Sequence, residues 1–560
     1  MRPAPSPARG AMMAKPDIRA DALALPPLDT QGSTAPTAES LLRDGVRFWG
    51  MGDRPGAVAR IDASLAQESG NPAALSMAAF MLAEMGKPEA AMAFYRRALD
   101  NDPSHRVAWS NLGKLLFALR RYQEARHCFQ AACRLDENDA DAWCSLSGAL
   151  RELGRLVEAV EAGRRALEAR PVFAEAALNL GNAFLKLDRM DEALDAYRRA
   201  LGANPQFAAA HCGEALALKS LGRFAEARRA FVRAEELGSV EATSGKGCLD
   251  LSQGDFEKGW RGYEARWLAG RSIAEALGIR FPRWRGPGDC VGETVLVLND
   301  HGLGDTIQFV RYLPLMEQAG VKPLFACPKK LRRLVAASMP IAFAEPDDPN
   351  LQASAQIALS SLPYAFGTRL ETIPADTPYL RAEPDRLRHW AQRIGEHGFK
   401  VGLNWRGNLN PEADPARSAP LAAFAPLAAI EGVRLISLQA GPRDARLDAA
   451  APTMRVERLG DAFDAGEDSF IDTAAAMMAL DLVVTCDTSA AHLAGALNRP
   501  VWVALKRDAE WRWLIERDDS PWYPGMRLFR QETRGDWAGV GERMARELGR
   551  VGSVQTLETA

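Results

Sequence analysis

The chain has 560 residues, 47% apolar and 25% charged, with a formal net charge of −3, which is ordinary globular material long enough for three or four domains. The near-neutral balance gives no electrostatic footing for nucleic acid or an anionic membrane, and no apolar run approaches the ~18 residues a membrane span needs. The eight cysteines include no CxxC pair and no Cys/His spacing suited to zinc, so no metal site is expected and a reduced, cytoplasmic setting fits best.

Residues 1–37 contain seven prolines and no apolar core; they read as a disordered tail rather than a signal peptide. From residue 38 a period of 34 takes over. Alanine recurs at Ala57, Ala91, Ala125, Ala159, Ala193 and Ala227. A second ladder runs from Ser64 through Ala98, Ala132, Ala166 and Ala200 to Ala234. Gly52, Gly86, Gly154 and Gly222 form a third, interrupted by Arg120 and Asp188, and Tyr95, Phe129, Tyr197 and Phe231 form an aromatic fourth. Small residues let paired helices touch and the aromatic fills the next groove, so the period predicts stacked helix–turn–helix units. The pattern resembles a tetratricopeptide (TPR) array of about six repeats over residues 38–241. Such a solenoid offers a concave binding surface, on which Asn111 and Asn179 hold equivalent places and are the expected contacts to a captured partner.

Residues 242–285 read as a junction. Gly254-Asp255-Phe256 and Gly259-Trp260 look like half a repeat with its spacing shifted, and Trp260, Tyr263, Trp267 and Trp284 are expected to cap the array's apolar edge. Beyond it the periodicity changes to apolar strand-like runs at 294–298, 323–326, 401–405, 434–438, 480–486 and 500–505. Helical stretches separate them, notably 384–395, 470–479, 490–497 and 538–548. This alternation predicts parallel, doubly wound sheets in two lobes, 286–385 and 386–560, divided near Pro374, Pro378 and Pro384.

Three strand-to-helix or strand-to-loop turns carry the candidate chemistry. Gly302-Leu303-Gly304-Asp305 sits where doubly wound sheets bind ligands, but Ile307 stands where a dinucleotide fingerprint needs a small residue, which disfavours nicotinamide and flavin. Gly304 would let the backbone pass close to a substrate, and Asp305 is either a helix cap or a carboxylate aimed into the crevice. Asp487-Thr488-Ser489-Ala490-Ala491-His492 opens a helix whose free N–H groups, hydroxyls and dipole suit phosphate, with His492 one turn along as either ligand contact or core residue. In Val401–Asn408, Arg406 would neutralise a diphosphate or sit on a surface turn, and Gly407 would permit close approach. Trp511 to Trp513 and Trp522-Tyr523 add an aromatic and cationic patch of the kind that suits sugars and bases, though such rings are more often core.

Taken with Arg311-Tyr312, Ser361-Leu362-Pro363, Glu371 to Pro374, Arg417-Ser418, Ser437-Leu438-Gln439, His492 to Ala496 and Ser520 to Pro524, these blocks resemble a bacterial family in which tetratricopeptide repeats are fused to a GT-B glycosyltransferase domain related to heptosyltransferases. The architecture is also similar to that of O-linked N-acetylglucosamine transferases. The resemblance covers residues 254–531 and implies an α-helical TPR solenoid followed by an α/β GT-B domain of two Rossmann-like lobes. It implies inverting, metal-independent transfer from a nucleotide sugar, which is a substrate and not a cofactor. Asp305 is then the expected general base. Gly302, Gly304, Trp405, Arg406, Gly407, Gln439, Asp487, Thr488, Ser489, His492 and Trp511 are the expected donor contacts.

This chain departs from that pattern at Asn299-Asp300-His301, where Glu-Gln is usual, so Asp300 and His301 are alternative bases and His301 is the better suited by residue type. Arg406 and Glu510 also replace residues usual in the family, so the donor is left open. The leading expectation is transfer to a protein hydroxyl captured by the array, and repeat-fused relatives suggest flagellin. The alternatives are a surface polysaccharide or lipid-linked acceptor with the array docking a partner, and a scaffold with an inactive transferase domain.

Overall fold

The computed structural model describes residues 36–268, 272–407, 415–439, 454–466 and 468–558, with side chains to residue 550. Most of the expected tail, residues 1–35, lies outside this set, as does Asn408. The described residues form an N-terminal stacked TPR array followed by an α/β region with two parallel sheets. They fall into two compact units, one ending at Ala217 and the other beginning at Leu218.

The array consists of antiparallel helix pairs: 38–50 with 54–67, 72–84 with 88–101, 106–118 with 122–135, 140–152 with 156–169, 174–186 with 190–203, and 208–220 with 224–236. Every alanine of the first ladder is fully buried, as are those of the second. Ser64 starts the second because its hydroxyl donates to the Ala38 carbonyl at 2.7 Å. The third ladder marks the turn between paired helices, where the backbone must go left-handed. Gly52, Gly86, Gly154 and Gly222 have φ between 73° and 84°, and the interrupting Arg120 and Asp188 adopt φ 60° and 61°. The turn therefore survives the loss of glycine, at the steric cost of a side chain in that region.

A seventh pair follows, 240–252 with 256–263, so the expected half-repeat is a whole helix pair. Its register has slipped by two residues: Gly259 follows Ala227 by 32 residues, and Tyr263 follows Phe231 by the same step. The ladder roles persist at the shifted places. Gly259 packs so close that a Cβ there would lie 2.6 Å from Leu251, and Gly247 and Gly262 bring backbone against backbone. Trp260 and Tyr263 join one core with Phe309, Trp511 and Trp522 instead of merely covering an edge, and the Trp260 indole donates to the Thr368 carbonyl at 3.0 Å.

The first sheet has order β3-β2-β1-β4, with β1 Thr294–Leu298, β2 Lys322–Ala326, β3 Ala342–Phe343 and β4 Ala355–Ala358. The second has order β10-β9-β8-β5-β6-β7, with β5 Phe399–Asn404, β6 Val433–Ser437, β7 Val456–Arg458, β8 Leu482–Cys486, β9 Val501–Leu505 and β10 Met526–Arg530. All pairings within the two sheets are parallel. In each sheet the chain winds outward on one side of a central strand and then returns to its other side. That puts a topological switch point between β1 and β4, and another between β5 and β8, where crevices open at the carboxyl ends. The strands β3, β4, β7 and β10 escape the sequence pattern: β3 and β7 are two and three residues long, β4 offers little apolar signal beyond Ile357, and β10 alternates with arginine.

Candidate functional site

At the first switch point the loop after β1 is stapled by its own side chains. Asn299 Nδ2 donates to the His301 carbonyl at 3.0 Å, and the Thr306 hydroxyl donates to Asn299 Oδ1 at 2.6 Å. Asp300 turns inward across the switch point to the loop after β4, accepting from the Ser360 N–H at 3.1 Å and from the Ser360 hydroxyl. The Arg266 guanidinium, from the end of the seventh helix pair, lies 3.6 Å from the Asp300 carboxylate. It also donates to Glu264 at 2.7 Å and to both Ser360 and Ser361. His301 turns the other way: Nε2 meets the Tyr263 hydroxyl at 3.0 Å and lies 3.5 Å from Asp300, while its side chain stays 31% exposed.

Asp305 is a helix cap and something more. One carboxylate oxygen accepts the Gly302 N–H at 3.2 Å, closing the first turn of the helix Leu303–Phe309. The other accepts from Arg512 at 2.7 Å, a residue 207 positions away, beyond β9 of the second sheet. Burial by itself would raise the carboxyl, but the charges of Arg512 and His301 outweigh it and hold Asp305 well below the usual carboxylate range. Arg512 pairs with Glu510 as well, at 3.0 Å, and lies over the Trp511 ring.

The second switch point brings Thr488 beside the loop after β5. Thr488 caps the helix Ser489–Ala496 by accepting the Ala490 N–H at 3.2 Å, and its hydroxyl lies 3.4 Å from Asn404 Oδ1. The Gly407 N–H donates to the Ser418 hydroxyl at 3.2 Å, and Gln439 Nε2 donates to the Arg406 carbonyl at 3.2 Å. Arg406, Gly407, Gln439, Thr488 and Ser489 thus gather at the carboxyl ends of β5, β6 and β8. Asp487 is buried beside them. Desolvation, reinforced by Glu510, raises its carboxyl to about 6 against the pull of Arg417 and Arg512.

Several expected roles change. The space beside Gly304 is occupied by protein, since a Cβ there would lie 3.0 Å from the His492 ring and 3.5 Å from Ser489. Glycine at 304 lets the two helix starts pack on each other. His492 is buried, stacks on Trp513, and has both nitrogens engaged: Nδ1 with the Tyr523 hydroxyl at 2.9 Å and Nε2 with Arg512 at 3.5 Å. Since Arg512 only donates, Nε2 accepts and Nδ1 carries the proton. Burial, then Arg512, pushes His492 well below the usual imidazole range, so it is a neutral packing residue and not a free phosphate ligand. Trp405 lies in the core of the second sheet, and Trp511 is wedged among Trp260, Tyr263 and Trp522, so neither offers a free ring face. In the array, Asn111 and Asn179 are half-buried, and the Asn179 amide already meets the Cys144 carbonyl at 3.4 Å and its sulfur at 3.3 Å.

Sequence reasoning passed over Arg266 and Ser360, and it expected Tyr263 only as part of the array's cap and Tyr523 only as part of an aromatic patch. Tyr263 and Arg266 were legible only to a reader who carried the ladder forward with a two-residue slip, because they stand at the aromatic and second small-residue places of the seventh pair. No helix among the described residues is long and apolar enough to cross a membrane.

Three tetratricopeptide-repeat profiles match residues 72–115, 110–172 and 174–207. Over 321 residues the chain is 28% identical to Protein FlbA of Caulobacter vibrioides, an alignment that spans 53% of this chain and 53% of that protein. The chain therefore covers about half the length of that relative. Among solved structures it is similar to a tetratricopeptide repeat protein from Parabacteroides merdae, at 17% identity and a TM-score of 0.37, covering 42% of this chain and 95% of that one. It is also similar to YrrB, described as a TPR protein with an unusual peptide-binding site, at 22% identity and a TM-score of 0.30, covering 33% and 97%. The chain carries a TPR array joined to an α/β region with two parallel sheets.

Proposed function

We propose that the α/β region is an inverting, metal-independent glycosyltransferase of the GT-B type, which moves a sugar from a nucleotide-sugar donor to a protein hydroxyl held by the TPR array. In this reading residues 38–241 are the acceptor arm, 242–285 the junction, and 286–385 and 386–560 the two lobes. The observation that carries it is the meeting of two switch-point turns from separate sheets, tied by Arg512 to Asp305 and by Gly304 against His492. Ligand crevices at strand carboxyl ends are the rule for such sheets, and a reaction between a donor and an acceptor needs two of them facing one another. The Thr488–Ser489 helix start, with Arg406, Gly407 and Gln439, supplies backbone N–H groups and charge for the leaving diphosphate. The loop from Asp300 to Asp305, which is partly exposed at His301, supplies the group that takes the acceptor proton.

Buried charge elsewhere in the site fixes geometry, which is what a displacement at a carbon centre requires: both partners held within bonding reach and water kept away. Flagellin is the specific acceptor that repeat-fused glycosyltransferases suggest. Intact-mass analysis of flagellin and other secreted proteins, from cells with and without this gene, tests the assignment. A sugar-sized mass difference is expected on the acceptor. Unchanged protein masses together with altered surface polysaccharide would overturn the protein acceptor and favour the polysaccharide one.

A further inference from the structure

We infer that His301 takes the proton of the acceptor hydroxyl, and that Tyr263 and Asp300 are positioning residues that hold the imidazole for that step; this rests on the transferase reading above. The alternative base, Asp305, has both carboxylate oxygens in use, one on Arg512 at 2.7 Å and one on the Gly302 N–H at 3.2 Å. Protonating it would abolish a largely buried ion pair and leave Arg512 short of its partner, a costly change inside a protein. A carboxylate so stabilised in its charged form is also a weak base.

His301 has the opposite arrangement. Its back is anchored and its front is open. Nε2 lies 3.0 Å from the Tyr263 hydroxyl oxygen and 3.5 Å from the buried Asp300 carboxylate. A carboxylate beside Nε2 favours the tautomer with the proton on that nitrogen, which leaves the Nδ1 lone pair as the acceptor. Among the described residues no hydrogen bond is made to Nδ1, and the side chain is partly exposed. The ring also stacks on Tyr263, with centroids 6.2 Å apart and planes 28° from parallel. Asp300 is held in turn by Ser360 and Arg266, so the orienting carboxylate cannot swing away.

The step balances. A lone pair on the acceptor oxygen forms the bond to the anomeric carbon as the bond from that carbon to the donor phosphate oxygen breaks, and its electron pair leaves with the phosphate. The acceptor proton moves to Nδ1, giving an imidazolium whose charge faces Asp300, and it is returned to solvent after product release. The seventh helix pair thereby enters the chemistry: Tyr263 stands at the aromatic place of the TPR ladder, and Arg266 stands where a regular repeat has alanine.

The test uses the full chain and whichever nucleotide sugar the wild type turns over in a panel of UDP-, GDP-, ADP- and CMP-sugars. His301→Ala is expected to lower kcat by about 100-fold or more, with donor Kd within about threefold, and added imidazole should restore part of the rate. Asp305→Asn keeps the shape of the helix cap but breaks the Arg512 ion pair; it should cost less in kcat than His301→Ala and should not be rescued by imidazole, because the base is still present. Tyr263→Phe should lower kcat several-fold with KM unchanged, and should add nothing in the His301→Ala background. His301→Ala within tenfold of wild type, a larger loss in Asp305→Asn than in His301→Ala, or a full Tyr263→Phe effect in the His301→Ala background would each overturn the assignment. His301→Asn provides a second variant should the alanine form melt early. A wild-type chain that neither binds nor turns over any nucleotide sugar defeats the transferase reading itself, which is a separate outcome.

Discussion

The two compact units bury different things. Among the described residues up to Ala217, the buried polar side chains are Ser64, Ser76, Ser145 and Ser147. From Leu218 onward they include Asp250, Arg266, Asp300, Arg311, Asp472, Asp487, His492 and Arg512. A small hydroxyl is satisfied by one nearby carbonyl, as Ser147 is by Ala159 at 2.7 Å. A buried charge needs a partner from another element, and desolvation makes that partner obligatory. Stacked repeats can keep their charges on the surface because each helix pair only has to match its neighbour. Two sheets and a terminal helix pair that interlock have to specify a single arrangement, and paired buried charges do so. The terminal pair shows the transition within one motif. Its ladder places are kept, yet Arg266 replaces alanine and Tyr263 turns its hydroxyl to His301.

Breaking that charge network should cost most. Arg266→Ala removes the cation between Glu264 and Asp300, both nearly fully buried. A loss of about 3–5 kcal/mol is expected in urea denaturation; a change no larger than a surface substitution gives would end the contrast between the units.

Asp487 should show the same burial with the opposite sign. Its folded-state carboxyl is raised to about 6, so the wild type loses stability as pH rises from the ordinary carboxylate range through that value. Asp487→Asn carries no charge and escapes the loss. The variant should therefore gain on wild type as pH rises from the ordinary carboxylate range to about 6, as read from melting curves across pH. Asp305 provides the control. Its carboxyl is depressed, so its stabilisation is present above the ordinary range and fades as pH falls. Asp305→Asn should therefore be destabilised at neutral pH, with the gap closing in acid.

Packing differences come next. Gly259→Ala installs the very residue that the ladder uses elsewhere, yet its Cβ would meet Leu251 at 2.6 Å and backbone nitrogen at 2.8 Å. Overpacking of this kind costs about 1–3 kcal/mol, and a neutral result would mean that the seventh pair is spaced like the other six. The smallest effect belongs to the turns. Arg120→Gly relieves a side chain at φ 60° and should raise stability by about 0.5–1 kcal/mol; a loss would show that the Arg120 side chain makes a contact worth more than the strain.

The sequence by itself determined the array. A 34-residue period with small and aromatic ladders is local and repetitive, so each helix pair reports its own packing, and the strongest strands are legible for the same reason as runs of Val, Leu and Ile. It also placed Asp305 and Thr488 at helix starts after buried strands, since strand, turn and helix are contiguous. What it could not determine is which charges face each other. Arg512 looked like part of an aromatic patch, His492 and Gly304 like ligand contacts, and Tyr263 and Trp260 like the end of a solenoid. Each acquires its role from a partner far away in the chain: Asp305 for Arg512, Gly304 for His492, His301 for Tyr263. Only the tertiary structure decided these, because burial and charge pairing depend on what a side chain meets in space, and no period in the sequence records it.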